Sequence, residues 1–289
     1  MVRERADRLL GGRTEETGGL PSGISRRAVA QAVAAGAIAA AIGVPRPALA
    51  QTRAPQAAGN PPPLQVGALV YPRMILLDLV GPQTVFSLMR ANVHLVGKDR
   101  SSVPTDAGIP IAPTTTIAEC PADLDVLFVP GGLEGTVAAM GDPAFVDFLA
   151  DRGSRAKLVT SVCTGSLLLG AAGLLRGYAA TSHWYVRDLL PALGAVPKAE
   201  RVVVDRNRIT GGGVTAGIDF GFELARQLRG GETARLFELV LEYDPKPPFA
   251  SGTPEQAGVA LTDRVRQIRS PAITAAKDAV ARAAQRLKI

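Results

Sequence analysis

The sequence is poor in aromatic residues and contains very few cysteines. Aromatic side chains make up 4% of the 289 residues, and Trp184 is the only tryptophan. A hydrophobic core must therefore be built mainly from Val, Leu, Ile and Ala. The two cysteines, Cys120 and Cys163, are too few for a disulfide scaffold or a thiolate metal site. A disulfide bond between these two cysteines is an open alternative, and it would block both thiols.

Charge of one sign is not concentrated in any domain-sized region. The formal net charge is +6, and the first fifty residues, with seven arginines and four acidic residues, carry half of it. An excess this small and dispersed does not indicate a nucleic-acid-binding protein, and no nucleic-acid partner is expected. The length allows one large domain or two ordinary ones.

The sequence also lacks a convincing membrane span. The apolar run Ala28–Val44 is short and rich in Ala and Gly. It follows Ser25-Arg26-Arg27 and precedes Ala48-Leu49-Ala50, which is the order of a secretory signal, and paired arginines are typical of twin-arginine export. We predict that residues 1–50 are a cleaved export signal, which gives a periplasmic or extracytoplasmic protein without a stable membrane anchor. A misassigned start or an uncleaved anchor are the alternatives. Residues 51–63 have the composition of a linker.

From Leu64 onward, short apolar runs alternate with helical segments. This alternation predicts an α/β fold, a flavodoxin-like sandwich with a mostly parallel sheet covered by helices on both faces. The predicted strands are Val66–Val70, Val93–Val96, Val126–Val129, Leu158–Val162, and Val202–Val204 with Arg208–Thr210. The predicted helices are Gly81–Arg90, Pro143–Asp151, Ser166–Leu175, Trp184–Leu190 and Ile218–Leu228. Residues 64–259 form the predicted domain. Residues 260–289 form a helical extension, with a helix over Thr262–Leu287 that is interrupted near Pro271.

One segment has the pattern of a nucleophile elbow. An apolar strand ends at Cys163, small residues flank the cysteine, and a helix follows at once. A sulfur atom at a helix N-terminus is placed where the helix dipole and free N–H groups favour the thiolate. We therefore predict that Cys163 is an activated nucleophile. The alternative is an ordinary buried cysteine.

Two further segments lie where strands are predicted to end. Asp78 follows the first strand, where it could exchange a proton with Cys163 as a general acid/base or simply cap the next helix. Gly131 and Gly132 end the third predicted strand, and their N–H groups could form an oxyanion hole together with the N–H of Thr164. Pro-Gly-Gly alone is a weak signal because most such triplets are only turns.

The segment Thr181-Ser-His183-Trp184 is the remaining candidate for the site. His183 could orient the thiolate or line the substrate pocket, and Trp184 could form an apolar wall. Capping or packing is the alternative role for both. The glycine run Gly211–Gly213 lacks the lysine of a P-loop and the spacing of a dinucleotide fingerprint, so no phosphate role is assigned to it.

In these motifs the chain resembles the ThiJ/PfpI family of the class I glutamine amidotransferase-like superfamily, and most of all its isonitrile hydratase subgroup. The motifs are Leu76-Leu-Asp-Leu-Val-Gly-Pro, Val129-Pro-Gly-Gly, Val162-Cys-Thr-Gly-Ser, Thr181-Ser-His-Trp, Gly212-Gly-Val-Thr-Ala-Gly-Ile-Asp and Glu242-Tyr-Asp-Pro-Lys-Pro-Pro-Phe. The resemblance covers about residues 64–259, so that the export signal and the C-terminal helix depart from it.

The resemblance implies a homodimer in which Cys163, Asp78 and Thr164 are the catalytic residues. The implied reaction adds water to an isonitrile and yields an N-substituted formamide, without a metal or an organic cofactor. Thr164 stands where relatives with protease-like chemistry often carry His, which weakens a peptidase interpretation. Glyoxal, aldehyde or amide chemistry on the same thiol remains an alternative, as does a non-catalytic ligand-binding or redox-sensing domain.

Overall fold

The structure, a computed structural model, describes residues 63–289. The predicted export signal and residues 51–62 of the predicted linker lie outside the described residues.

A seven-stranded sheet forms the centre of the described chain. Its strand order is β3-β2-β1-β4-β5-β9-β8, and all neighbours are parallel except β8, which runs antiparallel to β9 at one edge. The strands are β1 (Gln65–Leu69), β2 (Asn92–Gly97), β3 (Thr115–Thr116), β4 (Val126–Val129), β5 (Leu158–Val162), β8 (Val202–Asp205) and β9 (Arg208–Gly211), with β6 (Ala179–Ala180) and β7 (Val196–Pro197) paired separately. The predicted mostly parallel sheet is confirmed, while the two-residue strands were not predicted.

Helices flank the sheet. They are α1 (Leu76–Leu88), α2 (Leu133–Met140), α3 (Pro143–Arg155), α4 (Gly165–Ala171), α5 (Ala216–Arg229), α6 (Gly231–Val240), α7 (Pro254–Ala257) and α8 (Val259–Leu287). The predicted start of α3 is confirmed, because Pro143 occupies the first turn and the Asp142 carboxylate caps the Ala144 N–H at 3.0 Å.

The predicted start of α1 at Gly81 is wrong, because the helix begins five residues earlier and Asp78 lies in its first turn. Gly81 and Pro82, taken for a helix start, lie inside α1 at its contact with α5. A Cβ at Gly81 would lie 3.3 Å from Ile218, and one at Gly217 would lie 3.3 Å from Pro82. These residues permit a close helix–helix approach rather than ending a helix.

Other helix predictions failed for local reasons. The predicted helix Trp184–Leu190 is instead a 3-10 helix over Arg187–Leu193, which ends at Gly194 with a left-handed φ of 79°. Helices α2 and α6 were not predicted because a glycine pair, which is typical of a turn, lies at the start of each. Helix α4 is shorter than predicted and ends at Ala171.

The C-terminal helix is continuous, so the predicted interruption near Pro271 is wrong. Helix α8 packs against α2, α4 and the 3-10 helix through a stripe of small buried residues that includes Ala276, Ala279 and Ala283. The Arg286 guanidinium donates to the Ala171 carbonyl at 2.8 Å and fastens the end of α8 to α4. Within residues 63–289, no helix is long and apolar enough to cross a membrane.

Strand order brings the predicted site together. Strands β1, β4 and β5 are adjacent and parallel, so the residues that follow their carboxyl ends meet at one edge of the sheet. Asp78 follows β1, Gly131 follows β4, and Cys163 follows β5. Beneath them the rings of Phe86, Phe128 and Phe220 pack with centroids 5.5 to 5.7 Å apart.

Candidate active site

Cys163 occupies a strained turn between a strand and a helix. Strand β5 ends at Val162, Cys163 has a φ of 57°, and α4 begins at Gly165. A left-handed φ is uncommon for a residue with a side chain and persists only where the surroundings hold it. The predicted elbow is confirmed.

Hydrogen bonds on both sides of Cys163 hold that backbone. The Cys163 N–H donates to the carbonyl of Gly212 at 2.7 Å and also lies 3.1 Å from the carbonyl of Gly211. The Cys163 carbonyl accepts from the Ser182 hydroxyl at 3.1 Å and from the Ser166 hydroxyl at 3.3 Å. The glycine run and the Thr181-Ser-His-Trp segment therefore fix the elbow, a role that the sequence did not suggest for Ser182.

Asp78 is fully buried beside the thiol. Its Oδ2 accepts a hydrogen bond from the Gly131 N–H at 2.8 Å, and its Oδ1 has no hydrogen-bond partner among the described residues. Burial raises the pKa of Asp78 to about 7, against the Gly131 hydrogen bond and the neighbouring Cys163 thiol, which both favour the carboxylate. A carboxyl group with a pKa near neutrality suits general acid/base catalysis.

The pKa of Cys163 is raised well above that of a free cysteine. Burial is the largest cause and the negative charge of Asp78 the second, while the N–H and hydroxyl of Thr164 act in the opposite direction. Burial thus opposes the effect of the helix N-terminus, which was expected to favour the thiolate. The Asp78 carboxylate next to the thiol is the group that can accept its proton when the sulfur attacks.

The predicted oxyanion hole is not formed by the two glycines. The Gly131 N–H donates to Asp78, and the Gly132 N–H donates to the Thr164 hydroxyl oxygen at 2.9 Å. Both donors are already used within the protein, so this prediction is wrong for the described state. The Thr164 N–H, the third predicted donor, faces the sulfur and lowers its pKa.

The Thr164 hydroxyl belongs to a buried chain of hydroxyl groups. It lies 2.8 Å from the Thr136 hydroxyl, which lies 3.0 Å from the Tyr71 hydroxyl, which donates to the Pro130 carbonyl at 2.6 Å. Because either threonine can donate across their contact, the Thr164 proton can point to Thr136 or to the sulfur. No motif in the sequence pointed to Thr136 or Tyr71.

Gly131 must be a glycine for a reason other than a turn. A Cβ at this position would lie 2.6 Å from the Thr164 nitrogen, 2.7 Å from Asp78 Oδ2 and 2.7 Å from the Cys163 Cβ. Real Cβ atoms do not approach backbone this closely, so the missing side chain lets the three groups meet.

His183 and Trp184 line a cavity of about 320 Å³ next to the elbow. The His183 ring stacks on Tyr185 with centroids 3.7 Å apart, and its Nδ1 is buried without a hydrogen-bond partner among the described residues. Burial, helped by Arg269 and Arg187, lowers the pKa of His183 to about 4, so the ring is neutral at neutral pH. A neutral ring cannot stabilise the thiolate as a cation, and this arrangement favours the pocket-lining role.

The cavity does not reach the sulfur itself. Cys163 and Asp78 have no exposed surface, and neither is among the residues that line the cavity. Burial is the main cause that raises the pKa of Tyr185, and the charges of Cys163 and Asp78 add to it. Tyr185 therefore stands within electrostatic reach of both groups, and the sequence analysis overlooked it.

A second polar cluster is linked by hydrogen bonds to the backbone of the elbow. Arg201 Nε donates to Asp219 Oδ2 at 2.6 Å, and the Tyr243 hydroxyl donates to the same oxygen at 3.2 Å. The Arg201 carbonyl accepts from the Gly212 N–H at 2.8 Å, and Gly212 in turn holds the Cys163 N–H. The motifs containing Asp219 and Tyr243 were visible in the sequence, but only the fold shows that they meet.

The two cysteines are both free and buried. Cys120 lies near Gly67 and Leu124, and burial raises its pKa. Within residues 63–289, no group of three or more His, Cys, Asp or Glu side chains is arranged to hold a metal ion.

Comparisons with known proteins agree with this geometry. The sequence profile of the DJ-1/PfpI family matches residues 65–227. The chain is 49% identical over 227 residues to an isonitrile hydratase of Pseudomonas putida, which covers 78% of this chain and 99% of that protein. It is 29% identical over 203 residues to the HTH-type transcriptional regulator GbdR of Pseudomonas aeruginosa, covering 65% of this chain and 54% of that protein.

Among solved structures, a THiJ/PfpI family protein from Pseudomonas syringae superposes with a TM-score of 0.74 at 48% identity, covering 76% of this chain and 91% of that one. The 227-residue alignment with the hydratase is longer than the predicted domain 64–259, so the similarity extends beyond those limits. With its family profile, its fold and its elbow cysteine, the chain belongs to the DJ-1/PfpI family.

Proposed function

We propose that this protein is a cysteine-dependent isonitrile hydratase that converts an isonitrile and water into an N-substituted formamide. The observation that carries the proposal is the pairing of Cys163, strained at the elbow, with Asp78, whose pKa lies near 7. The 49% identity to an isonitrile hydratase over almost the whole of that enzyme supports the same chemistry.

The first step forms a covalent adduct. The Asp78 carboxylate accepts the thiol proton, and the Cys163 sulfur attacks the terminal carbon of R–N≡C. The proton then passes from Asp78 to that carbon, which gives the thioimidate R–N=CH–S–Cys163. The N–H and hydroxyl of Thr164 stabilise the sulfur while it carries negative charge. Splitting the addition into two steps is the advantage of covalent catalysis.

The second step consumes water. Asp78 accepts a proton from the attacking water and returns it to the nitrogen, which gives R–NH–CH(OH)–S–Cys163. Collapse of this intermediate breaks the carbon–sulfur bond, releases R–NH–CHO and restores the thiol. The balance is one isonitrile and one water in and one formamide out, so the residues of this site suffice for every proton transfer.

The test is an assay of the purified protein with benzyl isonitrile in water enriched in a heavy oxygen isotope. We expect the formyl proton of N-benzylformamide in the NMR spectrum and the heavy oxygen in the product. Acid quench during turnover should leave an adduct on Cys163 whose added mass equals that of the intact isonitrile. Turnover of glyoxals or amides, with isonitriles left untouched, would contradict the proposal.

We further propose that the protein is exported through the twin-arginine route and works as a homodimer outside the cytoplasm. The order of the charged, apolar and small-residue segments in residues 1–50 supports export. The exposed Leu236, Leu239 and Val240 of α6 offer apolar surface for a second copy. Light scattering coupled to size-exclusion chromatography measures the oligomeric state directly.

A further inference from the structure

The C-terminal helix forms part of the cavity beside the active site. The lining of the 320 Å³ cavity includes Tyr185 and Val214, and α8 contributes Leu261, Val265 and Arg269. Most of the lining is apolar, which suits the carbon skeleton of a small ligand. Helix α8 therefore forms one wall of the substrate region, and the charge of its side chains affects which substrate fits.

Arg269 is the charged residue of this wall. Among the described residues that line the cavity, no Asp, Glu or Lys accompanies it, and His183 is neutral at neutral pH. Its nearest acidic partner, Glu134, lies 3.8 Å away, and both side chains are well exposed. At this length and exposure the pair is weak, so the planar guanidinium keeps donors for a carboxylate ligand.

The surroundings of the cavity are also cationic. A neighbouring cleft shares Trp184 and Tyr185 with it and is lined by Arg187, Arg266 and Lys277 against one acidic residue, Asp188. Charges of one sign around a cleft raise the local concentration of ligands of the opposite sign. Both observations favour an anionic ligand.

We propose that the substrate carries a carboxylate on its R group and that Arg269 binds this carboxylate. The inference rests on the proposed hydratase function, since it places the isonitrile carbon toward Cys163 and the far end of the molecule toward α8. Arg269 is a specificity-determining residue here and takes no part in the proton transfers.

The kinetic test compares 3-isocyanopropanoate with its methyl ester, which has the same skeleton without the charge. We expect kcat/KM to be larger for the carboxylate by about 10- to 100-fold, the usual effect of one hydrogen bond to a charged group. Arg269→Gln should remove this preference by raising KM for the carboxylate, with kcat little changed, because the contact persists throughout the reaction. Arg264→Gln, an exposed arginine of the same helix outside both cavities, is the control.

A binding test separates this inference from the hydratase function. Trp184 lines the cavity and is the only tryptophan, so its fluorescence reports occupancy. N-formyl-β-alanine, the product from 3-isocyanopropanoate, should quench it, its methyl ester should bind at least 10-fold more weakly, and Arg269→Gln should abolish the difference. Equal binding of acid and ester, or an unchanged preference in Arg269→Gln, overturns the inference. Absence of isonitrile turnover together with selective binding of the acid overturns only the hydratase function.

Discussion

The Gly131 N–H donates to Asp78 Oδ2 at 2.8 Å, so a backbone group expected to stabilise substrate instead positions the acid/base residue. This bond fixes one oxygen of the carboxyl group and leaves the other free for proton exchange. An amide can accept the same bond, and Asp78→Asn therefore preserves the shape of the site while removing its titratable proton.

For Asp78→Asn we expect a loss of about 10²- to 10⁴-fold in kcat/KM, the usual contribution of a general acid/base. In the wild type, kcat/KM should rise with pH through about 7, because protonated Asp78 cannot accept the thiol proton. A pH–rate profile measures the loss of activity and the pH dependence, and kcat/KM of the variant should not rise through pH 7. If kcat/KM of the wild type instead rose through about pH 4, the raised pKa of a buried Asp78 would be contradicted.

The same substitution should stabilise the protein at high pH. The folded-state pKa of Asp78 lies above its unfolded value of 3.8, so the folded state binds more protons between pH 4 and 7. Stability due to this group is therefore fully present below about pH 4, falls as pH rises, and is lost above about pH 7. Thermal melts at pH 5 and pH 8 should show Asp78→Asn gaining more stability over the wild type at pH 8 than at pH 5.

The two thiols should differ sharply. Cys163→Ala should abolish turnover with the fold intact, and Cys163→Ser should also fail, because a hydroxyl is poorly ionised beside Asp78 alone. Cys120→Ser, a substitution away from the elbow, should leave kcat within about twofold and cost at most a few kcal/mol of stability. Steady-state assays with circular dichroism separate these effects. If the Cys163→Ala variant keeps its activity, Cys163 is not the nucleophile.

Gly131→Ala should damage the site more than its size suggests. Its Cβ would meet the Thr164 nitrogen, Asp78 and Cys163 within 2.7 Å, and overpacking of this kind costs about 1–3 kcal/mol. Gly141→Ala is the matched control, since its Cβ would lie 3.5 Å from the Ala138 carbonyl. Melting temperature and kcat should both fall for the first variant and stay near wild type for the second.

Asp219→Asn should lower kcat although it touches neither the cavity nor the sulfur. The Asp219–Arg201 pair is partly exposed, so its loss should cost less than about 1 kcal/mol of stability. Its effect passes through the Arg201 carbonyl and Gly212 to the backbone of Cys163. We expect a several-fold lower kcat, an unchanged pH limb and partial rescue by Asp219→Glu. Glu223→Gln, which breaks another ion pair of α5, is the control.

Export is tested on the intact chain. Because the segments of residues 1–50 follow the order of a signal peptide, we expect the extracytoplasmic protein to begin at Gln51. Replacing Arg26 and Arg27 together with lysine should leave the protein in the cytoplasm. N-terminal sequencing and fractionation measure both outcomes. A mature chain that begins before Arg26 would exclude this signal.

The sequence predicted the elbow, the sheet and the meeting of Asp78 with Cys163, because strand, turn and helix signals are local and parallel strands align their ends. It did not predict that the pKa of Cys163 is raised, since the burial that causes this shift comes from segments distant in the sequence. It also could not show that Gly131 and Gly132 use their N–H groups internally. The helix limits predicted at Gly81 and Pro271 were wrong, because tertiary packing there overrides the local preferences of glycine and proline.

Because Cys163 is completely buried, the reaction rate of its thiol reports on motions of the protein. In this conformation the sulfur has no exposed surface, so a reagent reaches it only after the surrounding residues move, and alkylation at saturating reagent can be no faster than that opening. Turnover cannot outrun the same event. Comparing the two rates would tell whether the chemistry or the opening limits each catalytic cycle.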